Sequence, residues 1–374
     1  VNVEATIDKA WTKSRQHISF TPHIRYGFSN THLNAWGTLV YSKRTFTVDE
    51  GGSTFGRSTW TFAGGKTVSQ FNKDNPITPL LNSFSTLFYR RNYMKIYEDY
   101  FGTVAWNKRF DNGLRVTTSL LYEDRMPLDN TTDYSLYKKD SSRHFTPNYP
   151  YEKITQQFIR HQAAIAGIEL QYQPGQRYIQ FPNNKVPIGS KYPTFSLAYT
   201  KGIDNILGSD VDFDKWKFAI WDNVNLKLRG LLKYRFSVGG FLNTKKVFIQ
   251  DYQHFNGNQL TVASQYLNSF QLAPYYANST TASFYAEGHV EHHFNGLLTN
   301  KIPLFKRLNW FLVGGSNAFY VNKNNNYVEA FGGLENIFKI IRVDVVASYL
   351  NGKTGQVGVR IGFGGLIGGS VQMR

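Results

Sequence analysis

The stretch VGVRIGF, residues 357–363, alternates apolar side chains with glycine and a single arginine. A period of two places the apolar side chains on one face of a β-strand and the small or charged ones on the other. The same alternation recurs along most of the 374-residue chain. A strand with one apolar and one polar face suits a closed barrel that has lipid outside and water inside.

The alternation predicts fifteen strands, most of them about ten residues or longer, which is the length that a tilted strand needs to cross a bilayer. They span 1–10, 16–27, 32–43, 56–69, 98–109, 112–123, 160–173, 191–201, 213–225, 228–241, 282–294, 308–320, 326–334, 340–349 and 356–366. Since single-chain bacterial barrels have an even strand number, we expect about 16. The prolines in segment 70–97 suggest a short helix, with room for a further strand. The predicted fold class is all-β, a transmembrane antiparallel β-barrel in the outer membrane.

Composition agrees with a membrane barrel and excludes several other classes of protein. The 29 Phe and 24 Tyr residues accompany a mean hydropathy of −0.39, a combination that interfacial aromatic girdles explain. A transmembrane helix requires a run of about 18 apolar residues, and the sequence contains no such run. The net charge of +16 comes from scattered Lys and Arg residues, which argues against nucleic acid and for anionic lipid head groups. The absence of cysteine excludes disulfides and thiolate metal sites.

We expect residues 1–374 to form a single transmembrane β-barrel domain, because no linker divides the chain. Its two long polar connections, 124–157 and 242–281, are predicted surface loops. We expect an upstream soluble domain to be absent from this chain, which begins directly with strand-like alternation.

The last hundred residues carry a family resemblance. The segments that carry it are YAEGHVE at 285–291, LNWFLVGGSN at 308–317, VEAFGGLEN at 328–336, IRVDV at 341–345 and VGVRIGF at 357–363. In this order they resemble the C-terminal barrel of the BamA/TamA-type surface-antigen (outer-membrane assembly factor) superfamily. The segments RYGFSN at 25–30, HFNGN at 254–258 and FNG at 294–296 look like a branch that carries a carboxypeptidase-regulatory-like N-terminal domain.

The resemblance implies that a long loop precedes the last five strands and folds back into the barrel. In the superfamily this loop has a Val-Arg-Gly-Phe/Tyr tip whose arginine pairs with acidic residues on the wall. No such tip occurs in 242–281. The nearest candidate for the inserted-loop tip is the run His254, Phe255, Asn256, Gly257 and Asn258.

Charged residues on the inward face of the last strands predict a lumen charge network. Arg342 and Asp344 share one face of a strand, and Glu291, Glu329 and Arg360 lie on other strands nearby. Such charges need partners, because an unpaired charge in a confined interior is costly. The network braces the wall or also holds the inserted loop, and bracing is the favoured interpretation.

The row Glu287, His289, Glu291 and His293 offers metal-ligating side chains on one strand face. A spacing of two places these side chains about 7 Å apart, which is wide for a zinc site. We therefore expect a polar row, with no metal and no cofactor. No Gly-x-Ser-x-Gly elbow occurs either, so we do not expect an enzyme.

Glycines concentrate in and after the last strand, at Gly358, Gly362, Gly364 and Gly365. In assembly-type barrels the imperfect seam between the first and last strands templates a client strand. Glycine weakens a strand, so these residues suggest a labile seam. They could equally relieve crowding between inward-facing side chains, and the sequence does not decide between the two roles.

The resemblance implies insertion or export of envelope proteins or lipoproteins in the outer membrane of a Gram-negative bacterium, without a cofactor. An anion-selective channel or uptake barrel is the first alternative, with Arg115, Lys215, Lys217, Lys233 and Arg235 along its path. A structural subunit of a larger envelope complex is the second. The expected partners are outer-membrane lipid, lipopolysaccharide and envelope proteins, with no nucleic acid.

Overall fold

The computed structural model describes residues 2–28, 30–49, 52–139, 143–181, 184–352 and 354–363. Its strands, β1 to β18 in order, are Asn2–Glu4, Ile7–Trp11, Gln16–Gly27, His32–Asp49, Gly52–Gln70, Ile96–Arg109, Leu114–Met126, His161–Tyr172, Arg177–Phe181, Asn184–Gly189, Thr194–Gly202, Asp212–Asn225, Leu231–Lys246, Tyr285–His293, Phe311–Asn322, Asn325–Ile337, Ile341–Leu350 and Thr354–Phe363. The α-helices of the described residues are α1, Pro79–Tyr89, and α2, Pro303–Leu308, and four single turns of 3-10 helix lie at Ile206–Gly208, Lys227–Arg229, Ile249–Asp251 and Thr299–Lys301. Within these ranges, no helix has both the length and the apolar character required to cross a membrane.

Sixteen of the strands form one antiparallel sheet, and from β3 onward each strand of this sheet neighbours the next one along the chain. Both β1 and β2 pair with β3, at its opposite ends, so these two short strands share one position in the sheet. The end strand β18 pairs with β17 in a register that sets Val359 opposite Val345. The predicted fold class, an all-β antiparallel barrel of about sixteen strands, is confirmed.

The predicted strands recur in this sheet with shifts of a few residues at their ends. Helix α1 lies in segment 70–97, where a short helix was expected. The β9–β10 hairpin and α2 were not predicted. The hairpin strands are only five and six residues long and include Pro187, so they lack the long alternation of the other strands.

Burial of the side chains is inverted relative to a soluble protein. In β17 the Asp344 carboxylate is fully buried, whereas the neighbouring Val345 is 54% exposed. In β18 Arg360 is buried and Val359 is exposed. Aliphatic side chains therefore point outward from these strands and charged ones inward, as expected where the outer face contacts hydrocarbon.

The chain divides into two compact units. The first unit comprises residues 1–73, 79–218 and 241–251, and the second comprises 74–78, 219–240 and 252–374. The second unit holds β14 to β18 and most of the residues that the sequence nominated for function.

The outward face predicts the effect of an added charge. Val345→Arg places a cation at the middle of β17 and should destabilise the protein in lipid vesicles by about 2–4 kcal/mol, the cost of arginine at the midplane of a bilayer. The measurement is the free energy of unfolding in denaturant. Asn324→Arg, in the exposed turn between β15 and β16, is the matched control and should have little effect. Equal effects of the two variants would contradict a lipid-facing β17.

Candidate functional site

The connection from β13 to β14 supplies a segment, residues 252–284, that packs on one face of β14–β18. We call it the inserted segment, and the face it covers the inner face. An aromatic cluster joins the two, in which Phe255 stacks on Phe319 with ring centroids 4.2 Å apart. The cluster contains Phe255, Phe270, Ala273, Tyr285, Phe319, Val321 and Tyr327. Burial of an aromatic side chain stabilises by about 1.5–3 kcal/mol, so these contacts hold the segment firmly.

Glu329 of β16 binds the backbone of the inserted segment. Its fully buried carboxylate accepts hydrogen bonds from the Gln271 N–H at 2.7 Å and the Leu272 N–H at 3.2 Å. Asn317 Nδ2 and the Tyr327 hydroxyl also donate to it, at 2.7 and 2.8 Å. A buried carboxylate requires such donors, and two of these four come from the inserted segment.

Arg360 of β18 binds the carbonyl groups of the same segment. Its Nε donates to the Gln271 carbonyl at 2.7 Å, and its Nη2 donates to the Asn258 carbonyl at 3.4 Å. The two polar backbone groups of Gln271 are thus held by a carboxylate and a guanidinium of the wall. The arginine of this contact belongs to the strand β18 and not to the inserted segment.

Tyr266 connects the inserted segment to the charges of β17. Its hydroxyl donates to Asp344 Oδ2 at 2.7 Å, and the Arg342 guanidinium lies 4.1 Å above its ring. Arg342 also donates to Asp344 at 2.8 Å and forms an ion pair with Glu291. Burial and then the nearby Asp344 charge raise the pKa of the Tyr266 phenol. The phenol therefore stays protonated and able to donate at neutral pH.

The five residues of the predicted lumen charge network fall into two groups. Glu291, Arg342 and Asp344 are directly joined by ion pairs. Glu329 and Arg360 meet instead through Gln271 of the inserted segment. Both groups contact the inserted segment, so their geometry serves to hold it as well as to brace the strands.

The predicted loop tip, residues 254–258, lies in the contact between the inserted segment and the inner face. Phe255 belongs to the aromatic cluster, and His254 Nδ1 lies 2.7 Å from Ser279 Oγ. Asn256 Nδ2 donates to Asp74 at 3.2 Å. A Cβ atom at Gly257 would lie 2.3 Å from the Pro274 carbonyl oxygen, so only glycine permits this approach of two backbone stretches.

Asn258, the last residue of the predicted tip, shapes the turn that follows it. Its buried side chain accepts a hydrogen bond from the Leu260 N–H at 2.9 Å and donates to the Val262 carbonyl at 2.8 Å. An asparagine that bonds its own downstream backbone stabilises a tight turn. The turn directs residues 261–263 toward β18.

Two of the predicted seam glycines face the inserted segment. A Cβ atom at Gly358 would lie 2.7 Å from Leu272 Cδ2, and one at Gly362 would lie 3.6 Å from the Ala263 Cβ. The absence of a side chain at Gly358 leaves room for Leu272, whereas a Cβ at Gly362 would make only an ordinary van der Waals contact. Gly364 and Gly365 lie outside the described residues.

The histidine row of β14 is engaged in hydrogen bonds with its neighbours. His289 Nδ1 lies 3.0 Å from Asn317 Oδ1, and its Nε2 lies 3.2 Å from Glu287. His293 lies 2.8 Å from Glu335 and 3.4 Å from Glu291. In the part of the chain that the structure describes, no cluster of three or more His, Asp or Glu side chains is arranged for a metal ion.

The second unit also contains a cavity of about 720 Å³ between the inserted segment and the wall. Lys233 and Arg235, both named for an anion path, line it. Lys233 lies 3.9 Å from Glu291, and the Arg235 guanidinium lies 5.2 Å from the Trp221 ring. Both cations have partners within the wall.

A second buried cluster, in the first unit, was not predicted from the sequence. Arg125 of β7 is fully buried and donates two hydrogen bonds of 2.7 Å to Asp251. Glu123 accepts a further one at 2.8 Å and forms an ion pair with Lys73. The sequence signal was the shared face of Glu123 and Arg125, but their partner lies 126 positions from Arg125.

The comparisons with known proteins give a family and a set of distant structures. Residues 1–334 match the model described as "Family of unknown function (DUF5686) C-terminal domain". No curated protein matches the chain.

Three solved structures illustrate the likeness, and each aligns with 96% of this chain. BamA from Haemophilus ducreyi lacking POTRA domains 1–3 has a TM-score of 0.49 and 8% identity, with 66% of its chain covered. CdiB from Acinetobacter baumannii has a TM-score of 0.40 and 10% identity, with 59% covered. Wzi, a carbohydrate-binding outer-membrane β-barrel involved in group 1 capsule assembly in Escherichia coli, has a TM-score of 0.34 and 8% identity, with 76% covered.

The contacts of Glu329 predict the effect of neutralising it. Glu329→Gln removes the charge that two amides of the inserted segment face, and a hydrogen bond to a charged group contributes about 1.5–3 kcal/mol. Hydrogen exchange at Gln271 and Leu272 should therefore accelerate by more than about tenfold. Glu335→Gln makes the same change in β16 beside His293, away from these amides, and should leave their exchange unaltered. Equal exchange in the two variants would contradict the anchoring role of Glu329.

The phenol of Tyr266 predicts a loss of stability in alkali. Its pKa is raised above the ordinary value of 10.0 by burial and by Asp344, so the released segment loses this proton before the docked one does. The contribution of Tyr266 to the stability of the docked segment is therefore fully present below pH 10 and declines as the pH rises above 10. Tyrosinate absorbance of the wild type minus that of Tyr266→Phe should titrate above pH 10 when folded, and near 10 in denaturant. Identical curves in the two conditions would contradict burial of this phenol.

Proposed function

We propose that this chain, which belongs to the family of the DUF5686 C-terminal domain, works as an outer-membrane β-barrel that inserts or exports envelope proteins or lipoproteins. Its site of action is the edge of the last strand, where a client strand adds by backbone pairing. The proposed location is the outer membrane of a Gram-negative bacterium, with lipid and lipopolysaccharide around the outer face. The process requires no enzyme chemistry, metal or cofactor.

The observation that carries this proposal is the backbone of β18. In the sheet order β18 is an end strand, and β17 pairs with it on one side. On the other side, the N–H and C=O of Ile361 bond to Thr261 and Ala263 of the inserted segment. A strand edge in lipid is costly to leave without partners, and for that reason it binds another strand.

Contacts of the second unit favour assembly over an open channel. The inserted segment covers the inner face of β14–β18 through the aromatic cluster, Glu329 and Arg360. Lys233, a cation of the channel alternative in the same unit, lies 3.9 Å from Glu291.

Depletion of the protein in its native cell tests the proposal. If it assembles envelope proteins, quantitative mass spectrometry of outer membranes should record a joint decline of several other barrels or surface lipoproteins. Restoring the wild-type chain should reverse the decline. Loss of uptake of one solute, with unchanged membrane composition, would contradict the proposal in favour of a channel. Unchanged composition and uptake, with a stable set of copurified subunits, would contradict it in favour of a structural subunit.

A further inference from the structure

The edge of β18 carries a short stretch of the inserted segment. The Ile361 N–H donates to the Thr261 carbonyl at 2.9 Å, and the Ala263 N–H donates to the Ile361 carbonyl at 2.9 Å. Val262 sits opposite Ile361 in a parallel bridge. These two bonds make one parallel bridge, the smallest unit of parallel strand pairing. We call residues 260–264 the latch.

The direction of the latch differs from that of the rest of the sheet. The pairs β16–β17 and β17–β18 are antiparallel, whereas the latch runs parallel to β18. Parallel pairing is slightly less stable per residue than antiparallel pairing. An incoming antiparallel strand would therefore continue the sheet with better geometry than the latch provides.

The latch is held less deeply than residues 269–271 of the inserted segment. Thr261 is exposed, and Val262 and Ala263 are half-buried. Phe270 and Gln271, by contrast, are fully buried against the inner face. Ala263 packs beside the buried Tyr266 and Phe331, and Ser264 hydrogen-bonds the Gln271 side chain, so both ends of the inserted contact stay attached. The exposed stretch at Thr261 and Val262 is the part of the latch that opens locally while its surroundings stay folded.

Two neighbouring features allow the latch to move as a unit. The Asn258 side chain bonds Leu260 and Val262, so the curvature of the latch is held from within the inserted segment. The cavity of about 720 Å³ lies beside the latch, with Ala263, Ser264 and Gly362 in its lining. The latch thus has space beside β18 into which it can withdraw.

We infer that the latch is an internal competitor of the client, occupying the strand-addition site on β18 until an antiparallel strand of a client replaces it. Because backbone groups alternate in direction, Val357 and Val359 present theirs to the same edge as Ile361. The replacing strand can therefore use all three residues, whereas among described residues the latch has a backbone bridge to Ile361 only. This inference rests on the proposed function, since it names what fills the seam between clients.

A disulfide tests the latch directly. The Ala263 Cβ lies 3.6 Å from the position of a Cβ at Gly362, within the range of about 3.5–4.5 Å that disulfides adopt. The chain has no cysteine, so Ala263→Cys with Gly362→Cys creates a single pair. The matched control is Ala330→Cys with Ala347→Cys, which are register partners between β16 and β17. The control locks two wall strands and leaves the latch free.

We expect both disulfides to form, and only the first to block function. The oxidised latch variant should lower the abundance of client proteins to the level of the depleted strain, and a reductant should restore it. Failure of the latch disulfide to form, where the control disulfide forms, would overturn the placement of the latch. Full client assembly by the oxidised latch variant would overturn its role as a competitor while leaving the proposed function intact. An unchanged membrane composition after depletion would refute the proposed function instead.

Hydrogen exchange of the wild-type protein gives a second test that needs no variant. The amides of Ala263 and Ile361 should exchange faster than those of Gln271 and Leu272, because the latch opens while the Glu329 contact stays closed. Equal protection of all four amides would overturn the inference.

Discussion

A chain segment that leaves a sheet and enters an enclosed interior must find partners for its backbone N–H and C=O groups. In the second unit this requirement is met by two charged side chains of the wall. Glu329 accepts the Gln271 and Leu272 amides, and Arg360 donates to the Gln271 and Asn258 carbonyls. The cost of burying these charges is offset because each finds several hydrogen-bonding partners at once.

This arrangement explains the two contrasting faces of the last strands. Outward residues such as Val345 and Val359 are aliphatic and exposed, which suits hydrocarbon. The inner face combines charges with an aromatic cluster, because the inserted segment rather than open water covers it. An apolar core therefore exists in the second unit, but it lies between the strands and a loop.

The connection between β13 and β14 is held at points of very different strength. Within the first unit, Asp251 near its start binds the fully buried Arg125 through two hydrogen bonds. Within the second unit, Glu329, Arg360 and the aromatic cluster hold its middle. Residues 261–263 bind β18 through two backbone hydrogen bonds with Ile361, Ala263 also packs beside Tyr266 and Phe331, and all three stay partly exposed. Such a difference in strength lets one short stretch open locally while its neighbours stay bound.

The sequence by itself determined the strands and their faces, because a period of two is a local property that two different solvents select. It also nominated Glu329, Arg342, Asp344 and Arg360 as inward charges, since alternation assigns each to a face. Only the tertiary structure decided what they bind, because Glu329 and Gln271 are 58 positions apart and no local pattern records that contact. For the same reason the sequence left open why residue 358 is a glycine, whereas the structure places Leu272 against it.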